Sequence, residues 1–400
     1  MASKNFGQSL FIGEDATRQP VFFDPHLPIY YNLPPVTLIT GSPGSGKTFF
    51  GCLLCAHSSL LQKKTIVLDP KDDFSAPLKY LSHRGDINDV EIWKVFNTDG
   101  TTKDSNVGVL DPTALYDDYN ENAVLTLDVI KSLTSVSPEL ESTIIPIILD
   151  VVSDSQPTFS KLIYAFRRSQ NDSVSSLGHS IGLFLNDEIA KLLSIDRRLG
   201  KPELKFDSGT TIISLVGLDL PSPNANKDTY STKQKISIVI MTLITRLILE
   251  IMKYGDESEQ KTIIIDEAWS VLSSEKGESM VNELALLGRS RNVATILLTQ
   301  SPKHISSNEK GDSELDNTIS TRFAFRNTSS KDNEITVRAM NLEEDIGWEG
   351  AIESFSEKGQ CLMMDFMGDV GVFFVMAPEK WVDIFGTNPI DLKRKLNEEL

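Results

Sequence analysis

The sequence predicts an α/β fold with a mostly parallel sheet and an all-helical inserted subdomain, on three observations. Short apolar runs of strand type alternate with helical stretches, at a spacing that suits parallel strands covered on both faces. One such run, Val36–Thr40, empties into Gly41-Ser-Pro-Gly-Ser-Gly46-Lys47-Thr48. Between about residues 114 and 205 the strand texture stops, and apolar residues recur on helical spacing.

Residues 1–35 read as an approach segment. Residues 9–13 and 20–24 suit the arms of a small hairpin, and a Pro-rich link over 25–35 follows. The core, 36–113 and 206–400, opens with Val36–Thr40, the glycine loop, and an apolar helix to about residue 61. Strands are expected at Lys64–Asp69 and 90–96. In the insertion, 114–205, helical periodicity runs through Val124, Leu127, Val129, Ile130 and Leu133, and recurs over 144–152, 159–166 and 183–193. Ser137-Pro138 and Thr158 are the helix-start residues there. Strand character resumes at 211–216, a long helix spans Thr232–Tyr254, and strands follow at 261–266, 294–299, 321–325, Gln360–Met364 and 371–376. The stretch 306–316 is a polar loop.

Four hundred residues, 40% hydrophobic and 24% charged, suit a large α/β core carrying a second module. With 39 Lys and Arg against 56 Asp and Glu the net charge is −17, which argues against a broad nucleic-acid footprint but leaves room for a local basic patch. No run approaches the eighteen apolar residues of a membrane span, and the first residues lack a signal-peptide plan. Three cysteines form no disulfide framework. Cys52 and Cys55, although spaced C-x-x-C, lie among apolar residues of the helix after the loop and read as core packing. This cysteine usage suggests a reducing cytoplasm.

Gly-x-x-x-x-Gly-Lys-Thr between a strand and a helix is the P-loop pattern. Glycines let the backbone curl so that N–H groups converge on phosphate oxygens, and the helix N-terminus adds its dipole. Gly41, Ser42, Pro43, Gly44, Ser45, Gly46, Lys47, Thr48 and Phe49 are thus the candidate nucleotide-binding residues. Lys47 brings charge to the terminal phosphates, and Thr48 is a candidate Mg²⁺ ligand. ATP and Mg²⁺ are the implied substrate and cofactor.

A second apolar strand ends in Asp266-Glu267. Opposite a P-loop, Asp266 suits Mg²⁺ held through its water shell, and Glu267 suits the polarisation of an attacking water. A third ends in Thr299-Gln300, where a RecA-like arrangement puts an amide beside the γ-phosphate. Before it stands Gly288-Arg289-Ser-Arg291-Asn292. Arg289 is the candidate arginine finger supplied to a neighbouring subunit, with Arg322 the alternative, because spread negative charge on the transferring phosphoryl suits a planar cation. A solvated helix end explains arginines at 289 and 291 as well.

These motifs in this order, with Asp266-Glu267-Ala268-Trp269 the most specific, resemble the HerA–FtsK superfamily. Within it they are similar to the TraC-type conjugation ATPases of type IV secretion systems, specifically their C-terminal motor domain. The segments 317–325 and 359–379 fit the same pattern, so the resemblance spans most of 9–390. It implies a RecA-like P-loop NTPase core, ATP hydrolysis that powers assembly or substrate transport in a secretion machine, a ring, most often a hexamer, and other type IV secretion components as partners at the inner membrane. It also implies a cytoplasmic protein, peripheral at the membrane through partner proteins. A DNA-translocating motor of the same superfamily (a coupling protein or a HerA-type translocase) is the alternative; the acidic charge does not indicate DNA. A nucleotide-regulated scaffold with little turnover is a third reading, against which Lys47, Glu267 and a finger candidate speak. Family members usually carry a sizeable N-terminal domain, whereas this chain reaches its P-loop by residue 41; a short form and an excised motor domain both fit. Asp69-Pro-Lys-Asp-Asp-Phe74 matches the acidic turn after the second strand and reads equally well as a plain strand exit.

Overall fold

The computed structural model describes residues 9–97, 102–194, 209–221, 229–254, 256–272, 275–305, 315–343, 347–355 and 358–386. The chain forms two compact units: Met1–Trp93, Asp207–Leu215 and Leu249–Leu400 make the first, and Lys94–Phe206 with Val216–Ile248 the second.

The first unit is built on an eleven-stranded sheet. Its strands are β1 (Leu10–Asp15), β2 (Pro20–Phe23), β3 (Val36–Thr40), β4 (Lys64–Asp69), β5 (Val90–Lys94), β6 (Thr210–Ser214), β7 (Lys261–Ile265), β8 (Val293–Thr299), β9 (Ile319–Phe325), β10 (Gln360–Met364) and β11 (Val370–Val375), in the order β2-β1-β11-β10-β9-β3-β8-β7-β4-β6-β5. From β9 through β6 every neighbour pair is parallel. The residues of β3, β6, β7 and β8 are all buried, as a sheet covered on both faces requires. The flank from β9 to β2 is antiparallel, because β10 and β11 are joined by a tight turn in which Asp365 accepts from Met367 and Asp369. The hairpin β1–β2 joins this flank through β11. The approach segment is therefore an edge of the main sheet, whereas the sequence reading set it apart.

Helices α1 (Leu27–Tyr30), α2 (Lys47–Leu60) and α3 (Ser75–His83) precede β5. On α2, Phe50 stacks edge-on against Phe323 of β9 at 4.9 Å, and the thiols of Cys52 and Cys55 are buried with it in one apolar core, the packing role expected of them.

In the second unit α4 (Tyr119–Leu133), α5 (Pro138–Val152), α6 (Phe159–Arg167) and α7 (Asp172–Phe184) follow one another without a strand among the described residues. Each is capped by its own sequence. Asp118, Ser137, Thr158 and Asn171 accept hydrogen bonds from first-turn N–H groups, so the starts read at Ser137 and Thr158 are borne out. The buried Asp111 carboxylate accepts from Phe159 N and from both N and Oγ1 of Thr113.

α8 (Thr232–Tyr254) gives its residues up to Ile248 to this unit and the rest to the first. The sequence reading assigned all of Val216–Ile248 to the core, since periodicity marks a helix without saying which body it packs on. The expected end of the insertion near residue 205 and most of the polar loop 306–316 lie outside the described residues.

The later helices of the first unit are α9 (Trp269–Leu272), α10 (Glu275–Arg291), α11 (Ser330–Ala339), α12 (Trp348–Ser354) and α13 (Glu379–Gly386). No helix among the described residues is long and apolar enough to cross a membrane.

Candidate active site

Parallel register brings the motif residues to one edge of the sheet. Thr40 of β3 lies opposite Thr299 of β8, and Ile265 of β7 pairs with Leu297 on one side and Leu68 of β4 on the other. Gly41, Gln300, Asp266 and Asp69 therefore all emerge at the C-terminal ends of the strands, where open α/β sheets place their ligands.

The loop after β3 curls as its glycines demand. Gly46 opens α2 at φ 111°, a left-handed conformation that disfavours any side chain. A Cβ at Gly41 would meet Ser45 Oγ at 2.7 Å and Phe325 Cβ at 2.8 Å. Inside the loop, Lys47 Nζ donates to the carbonyls of Gly41 (2.5 Å) and Ser42 (3.1 Å). Burial pulls its pKa down to about 8, against the upward pull of Glu267 and Asp266. The buried Ser45 hydroxyl finds no hydrogen-bond partner among the described residues. A cradle with an inward cation, an orphaned hydroxyl and a helix N-terminus fits phosphate oxygens.

Opposite stand three carboxyl groups. Asp266 is pushed up to about 8, by burial first and then by the charges of Asp69 and Glu267. Burial lifts Asp69 to about 7, against hydrogen bonds from Phe74 N (2.9 Å) and Asp73 N (3.1 Å). Among the described residues no three of these side chains form a cation site by themselves; Thr48 and Asp266, both lining the same cavity, are the oxygen donors that would hold a divalent cation together with phosphate oxygens.

Glu267 is handled differently. Its backbone sits at φ 48°, and its carboxylate is gripped on both oxygens. Oε1 accepts from Lys71 Nζ and from Gln300 Nε2 (2.8 Å), and Oε2 from the Trp269 indole (2.5 Å). Burial would raise its pKa, but the bonds from Lys71 and Gln300 and the lysine charge outweigh it and hold the carboxyl below its ordinary value. An ionised carboxylate beside a phosphate cradle is suited to take a proton from water.

The cavity has a volume of about 670 Å³. Its lining is polar or charged at Lys47, Thr48, Lys71, Asp73, Asp266, Glu267, Gln300 and Lys358 and apolar at Phe49, Val375, Met376, Ala377, Val382 and Phe385. Phe385 of α13 meets Phe49 of α2 edge-on at 5.4 Å. The structure thus brings together Gly44, Gly46, Lys47, Thr48, Phe49, Asp266, Glu267 and Gln300 from the sequence reading, with Pro43 on the rim.

The two arginine candidates lie elsewhere. Arg289, near the end of α10, is exposed and donates to Asn32 Oδ1, ahead of the N-terminal end of β8. Arg322, on β9, is 6% exposed and donates to both the carbonyl and the carboxylate of Asp316 at 3.0 Å. Neither lines this cavity. Sequence reasoning missed Lys71, the indole of Trp269 as a Glu267 ligand, and the apolar wall. Lys71 had a signal, since it stands in the acidic turn that reads equally well as a plain strand exit.

The AAA-like domain family matches residues 30–385, a span that holds every residue of the cavity except Gly386. The chain belongs to the AAA-like domain family. This AAA-like domain is 23% identical over 363 residues to the uncharacterized protein YddE of Bacillus subtilis (strain 168), covering 84% of the chain and 40% of YddE. It thus spans well under half of that relative's length.

Among solved structures, VirB4 of Thermoanaerobacter pseudethanolicus superposes with a TM-score of 0.71 at 14% identity, over 95% of this chain and 100% of that one. The bacterial conjugative coupling protein TrwBdeltaN70 follows at 0.53 and 12%, over 92% and 89% of the two chains. The plasmid coupling protein TrwB in complex with ADP and Mg²⁺ scores 0.52 at 13%, over 86% and 84%. At these identities the likeness is one of fold. The mostly parallel α/β core with a helical insert, expected from the sequence, is borne out; the family shown is the AAA-like domain, and the likeness to VirB4 and TrwB is one of fold.

Proposed function

We propose that this AAA-like domain is a Mg²⁺-dependent ATP hydrolase that powers assembly or substrate transport in a conjugation-type (type IV) secretion system. The observation that carries the reading is one cavity in which a buried lysine, a hydroxyl and an aspartate face a phosphate cradle beside an ionised, triply bonded glutamate. In the net reaction a water oxygen bonds to the γ-phosphorus and the bond to the β–γ bridging oxygen breaks, giving ADP and phosphate. Glu267 orients the water and takes its proton. Lys47 leaves its loop carbonyls to meet phosphate oxygens, and Gln300 sits between Glu267 and the terminal phosphate. Thr48 and Asp266 would hold Mg²⁺, which would supply charge neutralisation at the phosphates.

The secretion role is supported by the motif order and by the fold likeness to VirB4 and to a conjugative coupling protein. The working form in this reading is a ring, a hexamer, in which Arg289 of one copy completes its neighbour's site. Exposure favours Arg289; Arg322 would first have to leave a buried pair with Asp316. Other secretion components at the inner membrane are the partners, and DNA is not the driver. Phosphate release measured against protein concentration, with and without DNA, tests this. A rate per subunit that rises with concentration and ignores DNA is expected. Strong stimulation by DNA that fades with salt would instead make the protein a DNA motor, and absence of turnover at any concentration would leave a nucleotide-binding scaffold.

A further inference from the structure

Glu267 carries water activation if the protein is an ATP hydrolase, and the role of Lys71 in hydrolysis rests on that reading. The Glu267 carboxylate is held by donors from three separate stretches of chain: the turn after β4, the start of α9 and the end of β8. At φ 48° the residue occupies backbone space that side chains rarely take, so its direction depends on what grips its oxygens.

Lys71 is the charged member of the grip. It lines the cavity, and its side chain is half-exposed while that of Glu267 is 8% exposed, so the ammonium reaches inward from a surface turn to a buried acceptor. Lys47, in the loop itself, spends its ammonium on the Gly41 and Ser42 carbonyls. Of the three lysines that line the cavity (Lys47, Lys71 and Lys358), Lys47 thus serves the cradle and Lys71 bonds Glu267.

We propose that Lys71 is a positioning residue that fixes the Glu267 carboxylate at the phosphate end of the cavity and acts on hydrolysis through Glu267, not by binding nucleotide. A charge-assisted bond of this kind is short and directional. A lysine makes it from a flexible stem, and an arginine at the same site, with its wider fork, restores it in part.

The test uses the full chain and three readouts. In the nucleotide-free protein, the emission of Trp269, isolated by subtracting the Trp269→Phe spectrum, reports on the carboxylate its indole holds. Lys71→Met is expected to change it and Lys71→Arg to keep it. Titration with a non-hydrolysable ATP analogue should give Kd values within about threefold of wild type for both, whereas kcat should fall roughly 10- to 100-fold in Lys71→Met, a partial loss of the roughly 10²- to 10⁴-fold that general-base catalysis contributes, and recover substantially in Lys71→Arg. In a Glu267→Gln background, Lys71→Met should cost nothing further.

A Kd weakened tenfold or more, with rate loss in both backgrounds, would make Lys71 a phosphate ligand and overturn the proposal. Unchanged emission with unchanged kcat would overturn it too. If the wild-type protein hydrolyses nothing, the ATPase reading fails by itself, and the emission arm still decides the Lys71–Glu267 contact.

Discussion

Gln300 Nε2 lies 2.8 Å from Glu267 Oε1, so the amide that ends β8 and the carboxylate that follows β7 form one hydrogen-bonded unit. A group suited to sense the terminal phosphate is thereby wired to the group suited to activate water. In the proposed hydrolytic cycle, arrival or loss of that phosphate would change what Gln300 bonds to, and Glu267 would feel the change.

Gln300→Ala should lower kcat about tenfold and leave KM within about threefold. A hydrogen bond to a charged group is worth about 1.5–3 kcal/mol, but two other donors remain on Glu267, so the lower part of that range applies. Steady-state phosphate release at several ATP concentrations reads both constants. A rise in KM without loss of kcat would make Gln300 a binding residue only.

Phe385→Ala should show the opposite split. The apolar wall meets whatever part of the nucleotide lies beyond the phosphates, and it meets ground state and transition state alike, which raises KM and spares kcat. Phe385 is partly buried against Phe49 and Trp381, so roughly half of the 1.5–3 kcal/mol of a fully buried side chain is at stake, about a 3- to 12-fold rise in KM. ATP titration of initial rates checks this. A drop in kcat at constant KM would place α13 in the chemistry.

The share of stability carried by two buried imidazoles should fall as the solution is acidified below neutral, against the opposite contribution of the raised Asp69 and Asp266 carboxyls. His57 packs against Trp381 at 5.5 Å, and burial holds its pKa down at about 4. His26, fully buried beside Asp24 and the Lys261 carbonyl, is lowered as well, burial outweighing the Asp24 contact. In the unfolded chain both imidazoles titrate near 6.5, so below that pH the unfolded state binds the extra protons. The stabilisation is complete above about 6.5 and drains away as pH falls towards 4. Urea midpoints at pH 7.5 and 5 should differ by more in the wild type than in His57→Leu. Equal differences would remove His57 from the linkage.

Mixing two inactive variants tests the trans finger. Rings that contain both Glu267→Gln and Arg289→Ala hold some interfaces made of two intact halves, so part of the activity should return. Fingers of this kind contribute about 10³–10⁵ in rate, which makes even a few intact interfaces measurable. No recovery with Arg289→Ala but recovery with Arg322→Ala would move the finger to Arg322. No recovery with either, despite co-assembly, would end the trans mechanism.

The parts of this structure legible in the sequence are those whose cause is local. β3, β7 and β8 announce themselves as apolar runs ending in Gly41, Asp266-Glu267 and Gln300, and parallel register then places those ends together. Ser137 and Thr158 mark helix starts because a cap acts within three residues. The turn that carries Lys71 stood out, but the role of Lys71 was not legible, since its acceptor lies 196 residues along the chain. The apolar wall is assembled in the same way, from α2, the end of β11 and α13. The allegiance of α8 to two units follows from packing, which its periodicity does not encode.

Nucleotide binding and hydrolysis, compared in Glu267→Gln and Lys47→Ala, decide whether this cavity hydrolyses ATP by the roles assigned to its residues. Removing the Lys47 ammonium takes away a phosphate contact present before and during reaction, so binding should weaken and turnover should vanish. Glu267→Gln leaves Lys47, Thr48 and Asp266 in place and removes only the proton acceptor. It should bind ATP with a Kd within about threefold of wild type and hydrolyse it at least about 100-fold more slowly. A Glu267→Gln protein that hydrolyses ATP at the wild-type rate would contradict the role of Glu267 and, with it, the assignment of this cavity as the hydrolytic site.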